Sequence, residues 1–365
     1  MGWITFRLEY SDQREIGGSS KTKPENILHR LSGKPVAWAT REGMVKIIGR
    51  MLLSLPHFAS EVVTYTHDEE LSFRPVIHWT EEKAVALSFL VVVALAVPPL
   101  NFNNDVTMYF GNHLGQVQDN GITMALNLDQ QTGSGFNTKN EYIFGRFDMQ
   151  LKLMKGFSAG TVTTFYLTSP IGQAHDEVDF EFLGNATFQP FTVHTNVFSE
   201  GKGNREQQFH LWFDPTAEFH TYTILWNAQR IIWMVDNIPI RVFENQESIG
   251  VPFPKTKPQR IFCSLWEASA WATQGGNVKI DWSHAPFTAH YKNFVVDACV
   301  ITNGASSCAN NNKQPWQTYT LDADAKAKLQ NVQKKNMIYN YCTDTKRFAQ
   351  GMPPECKPAQ DHPSA

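Results

Sequence analysis

The chain has 365 residues, a formal charge of −3 and 42% hydrophobic residues, enough for one large domain with a substantial core. That near-neutral balance carries no basic footprint for nucleic acid. The five cysteines form no CxxC pair, so no zinc site is expected.

Residues 1–83 show no clear periodicity or motif. Residues 84–97, AVALSFLVVVALAV, form an uncharged apolar run closed by Pro98-Pro99. Its length suits the core of a secretion signal and falls short of the ~20 residues of a membrane span. Ala94-Leu95-Ala96 has the small-x-small form of a cleavage site, which predicts a signal over 84–96 and a mature start at Val97. A signal ordinarily opens a protein, and Glu81-Glu82-Lys83 is a poor positive flank. Residues 1–83 are therefore expected to be absent from the mature chain; a cytosolic tail on a signal anchor is the alternative.

From Asn101 to about Asn293 short strands follow one another, separated by turn residues such as Gly133-Ser134-Gly135, Gly201-Lys202-Gly203 and Asp236-Asn237. The pattern predicts strands at Tyr142–Leu153, Thr161–Thr168, Glu177–Leu183, Phe191–Phe198, Tyr222–Trp226 and Ile231–Asp236. Many even-sized strands without helical segments between them predict an all-β sandwich. The most informative of them lies in His175-Asp176-Glu177-Val178-Asp179-Phe180-Glu181-Phe182. Alternation puts Glu177, Asp179 and Glu181 on one face and Val178, Phe180 and Phe182 on the other. Three acids on one face repel one another, a cost that wants an offsetting use. Cleavage of a glycosidic bond with retention needs two such acids, a nucleophile and a proton donor with a raised pKa. Spacing alone leaves a solvated amphipathic strand open as the other reading.

Residues 322–336, DADAKAKLQNVQKKN, are the one convincing helical stretch. All the cysteines lie in the C-terminal third. Cys299/Cys308 and Cys342/Cys356 each bracket a short loop-like stretch, as secretory disulfides would, leaving Cys263 as a buried thiol. Asn185-Ala186-Thr187 is a glycosylation sequon directly after the acidic strand.

The stretch HDEVDFEFLGN (His175 to Asn185) resembles the signature of plant xyloglucan endotransglucosylase/hydrolases, a branch of glycoside hydrolase family 16, with Val178 where Ile is usual. The likeness continues through GSGFNTKNEYIFGRFDMQLKL (133–153), SAGTVTTFYLTS (158–169), VHTNVFSEGKGNREQQFHLWFDPT (193–216), FHTYTILWNAQRIIWMVD (219–236), YNYCTDTKRF (339–348) and PPEC (353–356). It covers about residues 100–357.

The resemblance implies a concanavalin A-like jelly-roll sandwich with an open substrate groove (97–300) and a short disulfide-stapled C-terminal extension (301–365). By position in the motif it implies Glu177 as nucleophile, Glu181 as acid/base and Asp179 as the residue that assists Glu177. It implies the same two disulfides, and a glycan on Asn185. The groove residues it carries over are His194, Thr195 and Asn196, then Asn204, Arg205 and Glu206, with Arg347 as a C-terminal acceptor contact. No metal or organic cofactor is implied, because the carboxylates do the proton and covalent work themselves. The implied partners are xyloglucan polymer and oligosaccharide. The expected protein is a secreted monomer of the cell wall or apoplast, without stable membrane association.

One loop departs from the family pattern. Where the family usually reads Asn-Ala-Asp-Asp-Trp-Ala-Thr-Arg-Gly-Gly, this chain has Glu267-Ala268-Ser269-Ala270-Trp271-Ala272-Thr273-Gln274-Gly275-Gly276. Trp271 is kept as a stacking platform, Ala270 stands beside it, and Gly275 is expected to allow close backbone approach. Both Asp residues and the Arg are gone, which puts acceptor affinity in question. No lengthened loop follows the acidic strand over Val197 to Asp214, which favours a transferase over an endo-hydrolase on the same scaffold. A glycan-binding sandwich without catalysis is the remaining alternative, and it has no use for three aligned acids.

Overall fold

The computed structural model describes residues 97–170, 172–308 and 314–356, and the expected leader and signal lie outside them. Among the described residues there are sixteen strands: Val106–Phe110 (β1), Gly115–Gln118 (β2), Thr123–Leu128 (β3), Ser134–Thr138 (β4), Glu141–Lys152 (β5), Thr161–Thr168 (β6), Glu177–Leu183 (β7), Thr192–Phe198 (β8), Gln207–His210 (β9), His220–Trp226 (β10), Arg230–Val235 (β11), Ile238–Glu244 (β12), Arg260–Glu267 (β13), Phe287–Thr302 (β14), Ala305–Ser306 (β15) and Met337–Asn340 (β16). The six strands expected from alternation are all there, with ends shifted by no more than two residues.

Two antiparallel sheets make a sandwich. One runs β1-β4-β13-β6-β7-β8-β9-β16 and the other β12-β11-β10-β5-β14-β3-β2, with β15 paired to β14. Their inner faces form one apolar core. On β7 the side chains of Val178, Phe180 and Phe182 are fully buried there. Phe180 and Phe182 stack 5.5 Å apart, and the edge of Tyr222 from the opposite sheet meets both. Each such ring removed from water contributes on the order of 1.5–3 kcal/mol. The Trp233 indole N–H crosses from β11 to donate to the Asp179 carbonyl oxygen at 2.9 Å, which ties the acidic strand to the sheet behind it. The apolar half of the alternation thus anchors β7 and leaves its acidic half facing outward.

The C-terminal segment extends the same groove-bearing sheet. Strand β16 pairs with β9, with Tyr339 opposite Gln208 and Asn340 opposite Gln207, so the exposed edge of β9 is covered. The helix Ala323–Lys335 (α1) precedes it and packs on β12. Asp322 caps it by accepting from the Ala325 N–H at 2.8 Å, and Lys334 and Lys335 sit in its last turn, where the helix dipole favours cations. Cys299 pairs with Cys308 and Cys342 with Cys356, while Cys263 is buried and free. No helix among the described residues is long and apolar enough to cross a membrane.

Candidate active site

Strand β7 lies between β6 and β8. Register puts Glu177 beside Thr168 and Phe198, Asp179 beside Tyr166 and Asn196, and Glu181 beside Thr164 and His194. The three acids line one open cavity of about 560 Å3. Tyr109 and Phe110 of β1 and Ser264 and Trp266 of β13 complete its walls, with Thr164 and Tyr166 from β6 and Asn196 and Phe198 from β8. Asn196 was expected from the resemblance, but the other neighbours escaped the sequence reading, although strand parity offered a signal: Thr164 and Tyr166 alternate on β6 as the acids do on β7.

The three carboxyls are not equivalent. Burial pushes Glu181 up to about 7, with the Glu177 and Glu206 charges adding to it, although a fifth of its side-chain surface stays exposed. Burial also raises Glu177, but hydrogen bonds from Thr168 and Asp179 and the charge of His175 pull the other way. Asp179 is held well above the ordinary carboxylate range by burial and then by its two acidic neighbours, with Arg241 opposing. The contact between Asp179 and Glu177 raises Asp179 and lowers Glu177, a direction that favours the proton on Asp179. One strand therefore holds an acid protonated near neutrality, a hydrogen-bond donor and a carboxylate kept closest to ionised.

A stability test follows from that asymmetry. Because the folded pKa of Glu181 (about 7) exceeds its ordinary 4.5, its contribution is fully present below about pH 4.5 and is lost as pH rises toward 7. Glu181→Gln removes this penalty. Calorimetry should find the variant several degrees more heat-stable than wild type at pH 8, the difference closing toward pH 4. Equal melting at pH 8 would contradict the assigned environment.

His194 lies opposite Glu181 on β8, on the acidic face, its Nε2 3.7 Å from Glu181 Oε2. Burial drives its pKa down to about 4, and Arg241 and Arg347 add to this against the pull of Glu206. The imidazole is therefore neutral near pH 7, and the contact is no ion pair there. Asn196 shares that face and accepts the Arg205 backbone N–H at 3.0 Å. Thr195 does not reach the groove. It lies opposite Phe180 on the core side, fully buried, and its hydroxyl donates to the Gln207 carbonyl. Parity forces this, since neighbours on one strand point to opposite faces.

Arg205 is also inward, against the expectation of a sugar contact. Its Nε donates to Glu355 at 2.7 Å and its Nη1 to the carbonyls of Lys202 and Val197, so it pins the C-terminal segment to the β8–β9 turn. Asn204, Glu206 and Arg347 do come together. Arg347 Nη1 and Nη2 bond the two Glu206 oxygens at 2.6 and 3.1 Å, and Nη2 also reaches Asn204 Oδ1 at 2.6 Å. Burial alone would raise Glu206, but the Arg347 hydrogen bond, a backbone hydrogen bond and the Arg347 charge together hold the carboxyl below its ordinary value.

The 267–276 loop closes the other side. Trp271 is exposed and stands 6.2 Å from the rings of both Trp266 and His194, forming an aromatic rim beside Glu181. Thr273 holds the loop: its hydroxyl accepts from the Gly160 N–H and donates to the Gly184 carbonyl, both at 2.8 Å. Ala270 and Gly275 are exposed. Gly275 is required for its backbone (φ +66), not for room, because a Cβ there would meet nothing; the close approach belongs to Gly276, whose Cβ would lie 2.2 Å from the Ala270 carbonyl oxygen. Asn185 follows β7, and its Nδ2 donates to the Pro190 carbonyl at 3.0 Å. Among the described residues no group of three or more His, Cys, Asp or Glu is arranged to hold a metal ion.

An antiparallel sandwich bearing this row of carboxyls on an open sheet is of the polysaccharide-hydrolase class. Residues 102–284 match the sequence model of Glycosyl hydrolases family 16, and residues 310–356 that of the xyloglucan endo-transglycosylase C-terminus. Xyloglucan endotransglucosylase/hydrolase protein 22 of Arabidopsis thaliana is 56% identical over 273 residues, 73% of this chain and 96% of that protein. Xyloglucan endotransglucosylase protein 1 of Diospyros kaki is 55% identical over 258 residues, 70% of this chain and 88% of its own length. This chain belongs to the xyloglucan endotransglucosylase/hydrolase family. Among solved structures, a Bacillus licheniformis β-glucanase aligns with 25% identity and a TM-score of 0.44, covering 55% of this chain and 96% of that one.

Proposed function

We propose that this protein cuts the β-1,4-glucan backbone of xyloglucan and rejoins the cut end to another xyloglucan chain. The observation that carries this is the pairing on one strand of Glu181, pushed up to about 7, with Glu177, which burial raises against opposing hydrogen bonds from Thr168 and Asp179, in a chain of this family. Glu177 attacks the anomeric carbon and forms a glycosyl ester, while the proton of Glu181 goes to the departing glycosidic oxygen. In the second step the Glu181 carboxylate takes the proton of an acceptor 4-hydroxyl, whose oxygen attacks the anomeric carbon and releases Glu177. Asp179, as the proton-bearing partner, keeps Glu177 ionised and aimed.

Acceptor sugars lie against His194, Asn196 and the Trp271 ring beside Ala270, with Asn204, Glu206 and Arg347 further out. The protein acts as a secreted, Asn185-glycosylated monomer of the plant cell wall. Its mature chain starts near Val97, and peptides from residues 1–83 in secreted material would overturn that part.

The test mixes purified protein with xyloglucan and a fluorescent xyloglucan oligosaccharide, and follows label in polymer and new reducing ends together. Label entering polymer with few new ends is expected. New ends with little label would mean that water takes the intermediate, the outcome favoured by a loop that carries Ser269, Ala270 and Gln274 where the family has charged residues. Neither signal would refute the reading.

A further inference from the structure

Gln208 belongs to no site expected from the sequence, yet it contacts one. It lies on β9, opposite His194 of β8 and Tyr339 of β16, in the floor beside the Arg347 cluster. Its side-chain Nε2 is 2.9 Å from His194 Nδ1. An amide nitrogen only donates, so Nδ1 is the acceptor and carries no proton. A neutral imidazole has one N–H, which then sits on Nε2, the nitrogen facing Glu181 at 3.7 Å.

We propose that Gln208 is a positioning residue that holds His194 in its Nε2–H form, so that the proton of Glu181 finds no competing acceptor. This rests on the acid/base role proposed for Glu181. The alternative tautomer would turn a bare Nε2 toward Glu181. That lone pair would accept the carboxylic proton, stabilise the acid and divert the proton from the glycosidic oxygen. With Nε2–H in place, the same contact favours the carboxylate that must form when Glu181 gives up its proton.

The other charged or titratable groups around this pair are Glu177 and Asp179 on β7, Tyr166 on β6, Glu206 before β9, Arg241 on β12 and Arg347 after β16. Glu177 and Glu206 make proton release from Glu181 harder, which gives the N–H donor its value. Burial, aided by Arg241 and Arg347, keeps His194 from gaining a second proton, so it presents one donor and not two. The rigid β8–β9 ladder fixes Gln208 within reach.

Gln208→Leu keeps the side chain's bulk and removes the donor. NMR of the imidazole nitrogens in substrate-free protein should show His194 protonated at Nε2 in wild type and a mixture, or the Nδ1–H form, in the variant. Cleavage should fall about tenfold, part of the ~10²–10⁴-fold that a general acid contributes, and its basic limb should move to higher pH. KM for the polymer should change little. In a His194→Gln background the same substitution should have no further effect on the pH profile. A variant that keeps Nε2–H, or a profile that superimposes on wild type, would overturn the proposal. The tautomer is read without substrate, so a wild type inactive on xyloglucan would sink the functional reading and leave this measurement standing.

Discussion

Glu177→Ala is expected to abolish cleavage and transfer together, by about 10⁴-fold or more, while glucan binding stays nearly intact. Removing the nucleophile leaves no atom to take up the anomeric carbon, and neither Asp179 nor Glu181 can replace it. Asp179 carries the shared proton, and Glu181 is needed as acid on the leaving oxygen. The variant should also show the electrostatics of the strand, because the Glu177 charge is among the causes that hold Glu181 near 7. With that charge gone, Glu181 should titrate lower, which NMR of the carboxyl carbons can follow. Turnover retained in the variant would show that Glu177 is not the nucleophile. Lost binding alongside lost turnover would show that the substitution had disturbed the groove.

Arg241→Leu should cost on the order of 3–5 kcal/mol of folding stability and lower the melting temperature by about 10 °C. Arg241 sits on β12 with 1% of its surface exposed, between the sheets. Its Nη1 donates to the Thr195 carbonyl and hydroxyl oxygens at 2.7 and 2.8 Å, its Nη2 donates to the Arg205 carbonyl at 2.5 Å, and its guanidinium lies 4.7 Å from the Trp233 ring centroid. Leucine would strand those carbonyl oxygens in an apolar setting and leave a void where the fork lay. Arg241→Lys should fare little better, since an ammonium cannot bridge Thr195 and the Arg205 carbonyl as the guanidinium fork does. The loss should reach the site as well, because Arg241 opposes the upward pull on Asp179. Calorimetry on the two variants checks the first claim, and an unchanged melting temperature would mean that the stranded carbonyls found other partners.

Arg241 also marks where sequence reading ran out. It belongs to an ordinary alternating strand, IPIRVFE, and nothing there says that one charge points into the core. Arg205 misled for the same reason: its partner Glu355 is 150 positions away, so a motif residue that reads as a groove contact is a clamp on the C-terminal segment. Thr195 was different. Its parity against His194 and Asn196 was present in the sequence and would have placed it on the core face. The loop glycines fall between these cases, since the turn was legible but not which glycine served the approach and which the backbone angle.

The sequence by itself determined what is local or strictly patterned. The period-two alternation of β7 put three acids on one face and three apolar side chains on the other, short cysteine spacings together with the family resemblance pointed to the two disulfides, and Asp322 and Asn336 bounded the helix. It also carried the family signature. Only the tertiary structure decided which neighbours stand beside each acid, which polar residues turn inward, and how the three carboxyls divide their proton. Those depend on register between strands far apart in the chain and on how much water the packed sheets exclude. A carboxyl's pKa is set by burial and by charges within a few ångströms, and neither exists until the sandwich has closed.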